Sequence, residues 1–184
     1  MYQFVWHELC DWYLEAIKPA LYGKEGQERQ EIAIKVLWRV LRDTLVLLHP
    51  FMPFVTEEIW HKVPGTQGSV MNAVFPSNLS DASSVTAPNP QAQAEMHLII
   101  GIITGIRNIR GEMNISPSLS LDVLVHSEDE KTRETIRQRQ DIIIHLARVE
   151  SLSVEPPGQR PKAAATAVTH GATIFVPLEG IIDF

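Results

Sequence analysis

The hydrophobic pattern changes period at Pro117. Before it, apolar residues recur three and four positions apart, the signature of helices that bury one face. After it, Leu119, Leu121, Val123 and Val125 alternate with mostly polar neighbours, as in a strand with one buried side. A single repeating architecture is therefore excluded, and the expected class is α+β: a helical bundle followed by a small βαβββ domain. The aromatic residues mark the same division, because ten of the thirteen, including every Trp, fall within the first 60 positions. The two parts are expected to have different cores.

The first helix carries Val5, Leu9, Trp12 and Ala16 on one line, with Glu8, Asp11 and Glu15 off it, and is expected to break at Pro19 and Gly23. It starts in mid-pattern with no N-cap ahead of it, so preceding helices are expected to be missing. A second helix is expected from Gly26 to Leu48, apolar around most of its circumference in its last three turns and stopped by Pro50 and Pro53. Thr56-Glu57-Glu58 is expected to open a third, running to Val63, with its acidic residues at the positive end of the helix.

The stretch from Pro64 to Pro90 is rich in Gly, Ser, Asn and Pro and reads as a linker or irregular wrap, its first half packed through Val70, Met71, Val74 and Phe75. Helical spacing returns over 91–113, with Met96, Ile99, Ile100, Ile103 and Ile106 on one side and Arg107, Arg110 and Asn114 together on another. A helix over 129–147, a strand over 149–155 and a hairpin turning at His170-Gly171 complete the expected order. The resulting partition is 1–80 helical domain, 81–117 linker and connecting helix, and 118–184 small α+β domain.

One Cys admits neither an internal disulfide nor a multi-cysteine metal site, which points to a reducing compartment. The longest apolar run, Leu98 to Ile106, is far short of the about 20 residues of a membrane span, so no membrane partner and a cytoplasmic location are expected. A net charge of −6 argues against nucleic-acid binding by bulk electrostatics, and any RNA contact must be local. Phosphate-loop, nucleophile-elbow, dinucleotide-binding and zinc-protease motifs are absent from the sequence. His49 and His61 read as hydrogen-bonding residues of the bundle rather than metal ligands. Two Arg and an Asn on one helical face could clamp phosphates or read base edges. Spacing alone equally allows Arg107 or Arg110 to pair within the fold.

Four segments also carry a family resemblance: Cys10 to Glu15 with Lys18 after it, Leu48 to Trp60 (LHPFMPFVTEEIW), Ile106 to Pro117 (IRNIRGEMNISP) and Val176 to Asp183. Together they resemble the C-terminal region of the valyl-tRNA synthetases, class I aminoacyl-tRNA synthetases of the isoleucine/leucine/valine group. The resemblance implies that residues 1–80 belong to an anticodon-binding domain and that the remainder is a junction toward a coiled-coil arm. The HIGH and KMSKS signatures that serve ATP are absent from this sequence, so no cofactor is expected in this fragment, no catalytic residue, and no aminoacylation by it alone; ATP belongs to the full-length enzyme. The implied partners are valine tRNA and the rest of the synthetase polypeptide, with self-association through a truncated bundle as a further expectation. The residues expected to touch tRNA are Arg107, Arg110 and Asn114, with Lys18 at the end of the first helix. The alternative expectation is an intramolecular scaffold, with anticodon reading done upstream.

Overall fold

The computed structural model describes residues 1–76, 89–169 and 171–181. Part of the expected linker (77–88), His170 of the expected hairpin turn, and the chain end after Ile181 lie outside the described residues. The chain divides into two compact units, Met1–Pro88 and Asn89–Phe184.

In the first unit, helix α1 begins as a π-helix over Phe4–Tyr13 and continues as α-helix over Leu14–Leu21. The wider winding shows at the junction, where the Leu14 N–H donates to Leu9 O, five residues back. An α-helical stripe is therefore not maintained along it: Leu9 is buried, whereas Trp6 is 56% exposed and stacks on Tyr2. Helix continues through Pro19 rather than breaking there, because proline removes only one donor and the following turn closes without it. Tyr22 N–H donates to Lys18 O and Lys24 N–H to Pro19 O, both at 3.0 Å. Gly23 (φ 73°) then turns the chain.

Helix α2 spans Gln27–Leu48 and buries Ala33, Thr44, Leu45 and Val46. Helix α3 spans Pro53–Trp60 and starts three residues before the expected position. Proline at the first helical position already has the helical φ and needs no N–H partner. Thr56 is thus interior, its N–H bonded to Met52 O at 3.2 Å and its hydroxyl donating to Met52 O at 2.8 Å. With that proton committed, Thr56 Oγ1 accepts from His49 Nδ1 at 2.8 Å, which ties the end of α2 to the start of α3. Glu57, in the middle of α3 rather than at its N-terminus, accepts from Ser69 Oγ (3.0 Å) and Val70 N–H (3.2 Å). That holds the short 3-10 turn Val70–Asn72 against a core of Leu45, Val46, Trp60, Val63 and Val70. Of the four apolar residues expected to pack this segment, only Val70 is buried; Met71, Val74 and Phe75 are exposed.

The second unit is a four-stranded sheet covered by helices, its strands lying in the order β2 (Val149–Glu155), β1 (Leu121–His126), β4 (Ala172–Pro177), β3 (Ala164–Thr169). Helix α4 (Pro90–Glu112) is capped by Asn89, whose Oδ1 accepts from Ala92 N–H at 3.0 Å. It packs on strands β3 (Ala164–Thr169) and β4 (Ala172–Pro177), which is why the units divide at residue 88 and not around a free connecting helix. Ile99, Ile102, Ile103, Ile106 and Ile109 are essentially inaccessible, while Met96 and Ile100 are only half-buried. Gly101 and Gly105 allow the close approach: a Cβ at Gly105 would lie 2.7 Å from Ile174 Cδ1, and one at Gly101 would lie 2.5 Å from Thr169 Oγ1.

Strand β1 (Leu121–His126) buries Leu121, Val123 and Val125, with Asp122 exposed and Leu124 half-buried between them and His126 also buried; it pairs parallel with β2 (Val149–Glu155) and antiparallel with β4. The expected single helix between β1 and β2 is two, α5 (Glu130–Gln138) and α6 (Gln140–Ala147), because Arg139 leaves the helical region (φ −113°, ψ 15°). The break re-aims the chain, so that α5 packs on β2 while α6 packs on both β2 and α4. Ile136 and Ile143, one from each helix, are fully buried.

Candidate nucleic-acid interface

Three arginines gather where α4 ends, the 113–119 loop turns and α6 meets β2. Helix α4 stops at Glu112 because Asn114 takes the left-handed conformation (φ 51°), which asparagine tolerates better than most residues. The Ile115 N–H then bonds back to Arg110 O at 2.9 Å, and Ile115 is buried, so the loop is fixed to the helix it leaves.

Arg110, one of the residues expected to touch tRNA or to pair within the fold, is only 9% exposed. Its Nη1 donates to Ser116 O (2.9 Å) and Leu119 O (2.8 Å), and its Nη2 donates to Ala147 O and Arg148 O (both 3.2 Å). One planar guanidinium thus satisfies carbonyls of the loop and of the C-terminus of α6 at once. A helix C-terminus leaves carbonyls unpaired and carries partial negative charge, so a cation is favoured there. Burial, and then the charge of Arg148, push the Arg110 guanidinium below its ordinary pKa range.

Arg107, one turn earlier, is exposed and donates from Nη2 to Leu146 O at 2.9 Å, at the same end of α6. Asn114 is exposed at the tip of the turn. Arg148, which the sequence reading did not single out, is exposed and donates from Nη1 to Pro117 O at 2.7 Å. Its signal was available in the chain: α6 ends at Ala147 and β2 begins at Val149, and the single residue joining them is an Arg where Gly or Asn would ordinarily supply the turn. The structure brings Arg107, Arg110 and Asn114 together around one helix end. Lys18 belongs to the first unit, where its Nζ lies 2.6 Å from Glu15 Oε2 one turn away, both side chains about 44% exposed.

Among the other candidate groups, His49 bonds to Thr56 and His61 Nε2 lies 3.1 Å from Glu57 Oε1. Among the described residues no group of three metal-ligating side chains converges, and no helix is long and apolar enough to cross a membrane. The tryptophans are mixed. Trp60 is buried and Trp38 is 36% exposed, with the Arg42 guanidinium 5.9 Å from each ring centroid, and Trp38 Nε1 donates to Pro64 O at 2.7 Å.

Comparison with known proteins decides the family. Residues 1–125 match the model of the anticodon-binding domain of tRNA ligase. The chain belongs to that family. The match ends within β1, so this anticodon-binding domain family model covers the whole first unit, α4 and the turn that holds Arg107, Arg110 and Asn114. Curated relatives extend the likeness to the full chain. It is 40% identical over 185 residues to a valine–tRNA ligase of Nitratidesulfovibrio vulgaris, 38% over 185 residues to that of Geobacter sulfurreducens, and 41% over 182 residues to that of Desulfotalea psychrophila. These alignments cover 99–100% of this chain and 20% of each relative, so the chain spans about a fifth of the length of the ligases it matches.

Proposed function

We propose that this chain is the anticodon-binding and junction region of a valine–tRNA ligase, holding the anticodon stem-loop so that the far end of the tRNA reaches a catalytic domain elsewhere in the protein. The observation that supports it most is the alignment of essentially the whole chain, both units included, with valine–tRNA ligases. The longer protein ligates valine to its tRNA with ATP in the cytoplasm; this region contributes position rather than chemistry and is inactive by itself. Positioning of this kind lowers a barrier by fixing geometry far from the reacting atoms.

Arg107 and Asn114 at the α4 turn, and Lys18 on the other unit, are the proposed RNA contacts. Arg110 serves the same surface from behind, because its donors are aimed at four carbonyls that shape the turn. The test is aminoacylation by the full-length protein carrying Arg107→Ala. A contact that binds ground and transition states alike raises KM for tRNA and leaves kcat nearly unchanged. Unchanged KM in a folded variant removes Arg107 from the contact set.

A second reading is favoured by one observation. Tyr2, Trp6, Phe51 and Met52 are exposed around an apolar groove of about 520 Å3 on the first unit. Apolar surface of this kind marks a covered face in the intact protein, so this unit also docks on the rest of the ligase polypeptide, and an isolated fragment self-associates through it. Concentration-independent monomeric sedimentation of the fragment would remove the self-association reading.

A further inference from the structure

Arg148 occupies a backbone conformation that disfavours it. At φ 52° and ψ 56° it is in the left-handed region, the C-terminal cap position of α6 that glycine or asparagine ordinarily fills. Strain retained by a non-glycine residue directs attention to what its side chain does. Here the side chain is exposed and half-anchored: Nη1 is held by Pro117 O at 2.7 Å, while Nε and Nη2 have no partner among the described residues. The guanidinium of an exposed residue is therefore fixed at one nitrogen, with two further donor groups still to be satisfied.

The charge around it is uncompensated. Arg110 lies behind, close enough for the two positive charges to act on each other, and among the described residues neither Arg110 nor Arg148 has a carboxylate within salt-bridge distance. Two cations held together by neutral carbonyls make a local positive site in a chain of net charge −6. An anion at Arg148 would relieve their repulsion and complete the fork bidentately. A phosphate suits this site better than a base does, because the guanidinium fork matches phosphate geometry and the second unit has neither Trp nor Tyr for base stacking.

We propose that Arg148 grips a backbone phosphate of the bound tRNA, which extends the contact surface from the α4 turn to the C-terminal end of α6. This rests on the tRNA-binding reading above. The experiment measures the affinity of full-length wild-type protein, Arg148→Gly and Arg148→Asn for valine tRNA over a series of KCl concentrations, with a parallel arm in inorganic phosphate at fixed ionic strength. Both substitutions accept the left-handed backbone, and urea unfolding checks that the fold is kept. The expected result is tRNA affinity lower by roughly three- to tenfold at low salt and a log–log salt slope smaller by about one, for both variants. Unchanged affinity and slope in folded variants, with wild-type protein binding tRNA, overturns this proposal alone. Absence of tRNA binding by the wild type overturns the tRNA-binding reading and this proposal with it. Binding of inorganic phosphate that depends on Arg148 while tRNA affinity does not would assign the site to free anions and overturn the RNA contact.

Discussion

The Arg110 guanidinium donates to the backbone carbonyl of Ala147 at 3.2 Å, 37 positions further along the chain. Through that bond and its three companions, the end of α4, the loop leading into β1 and the end of α6 become one rigid corner. Replacing Arg110 by Ala would leave four carbonyls short of a donor, and the bond to one of them, Ala147 O, is buried. A buried acceptor left unpaired costs about 1–3 kcal/mol, so Arg110→Ala is expected to destabilise the second unit by roughly 1–3 kcal/mol, read as a lower urea midpoint. Lysine cannot reproduce the fork geometry and is expected to recover less than half of that loss. A loss below about 0.5 kcal/mol would show that the corner is held by other contacts.

The glycines of α4 separate close approach from helix propensity. Gly→Ala in a helix gains about 1 kcal/mol where there is room. At Gly111 nothing lies within 4 Å of an added Cβ, so Gly111→Ala is expected to raise stability. At Gly105 the new methyl would meet Ile174, which is fully buried, and Ala167 Cβ at 3.3 Å. Gly105→Ala is expected to lower stability by about 1–2 kcal/mol despite the propensity gain. Thermal unfolding of the two variants side by side checks the sign of each; stabilisation by Gly105→Ala would contradict the packing of α4 on the sheet.

Stability below pH 4.5 is expected to depend on the start of α5. The Thr132 hydroxyl, followed by its N–H, holds the Asp129 carboxyl below its ordinary 3.8, and hydrogen bonds from Arg133 and then Arg137 hold Glu130 below 4.5. Because both carboxyls bind protons more weakly folded than unfolded, the stability they contribute is complete above about pH 4.5. It is lost as pH falls through the lowered folded values. Asp129→Asn with Glu130→Gln should flatten the acid limb of the unfolding midpoint against pH and lower the midpoint above about pH 6, where the wild-type carboxylates make their full contribution. An acid limb identical to wild type would mean that these bonds are not maintained in solution.

The His49–Thr56 bond should show in the first unit. Thr56 is 1% exposed, and Thr56→Val removes a hydroxyl that both donates to Met52 O and accepts from His49 Nδ1. A loss of about 1–2 kcal/mol is expected, measured by chemical denaturation. Thr56→Ser, which keeps the hydroxyl, should recover most of it. Equal losses in the two variants would indicate packing around the methyl group rather than hydrogen bonding.

Much of this architecture was legible from spacing. The isoleucines of α4 and the alternation of Leu121, Val123 and Val125 declare a buried stripe and a half-buried strand, because burial repeats with the geometry of the element. What was not legible depends on partners distant in sequence. Arg110 sits on the same helical lattice as Arg107, and nothing local tells that four carbonyls converge on one and not on the other. Arg148 was missed although the expected helix over 129–147 and strand over 149–155 already left it as the single joining residue: its left-handed backbone and its bond to Pro117 O depend on the fold. Likewise Val74 and Phe75 have the chemistry of packed residues, yet they follow the short turn that buries Val70 and are exposed. Proline was read well at the end of α2, which stops at Leu48 ahead of Pro50, and misread at Pro19, which is accommodated within a helix, and at Pro53, which also opens α3.

The most direct test of the account is the affinity of the full-length protein for valine tRNA compared with the same tRNA carrying an altered anticodon, measured across a salt series. Tighter binding of the native anticodon, with both affinities falling as salt rises and the difference abolished by deleting this region, is the result the account predicts. Equal affinity for the two tRNAs, or discrimination that survives deletion, would contradict it and leave the region as a scaffold.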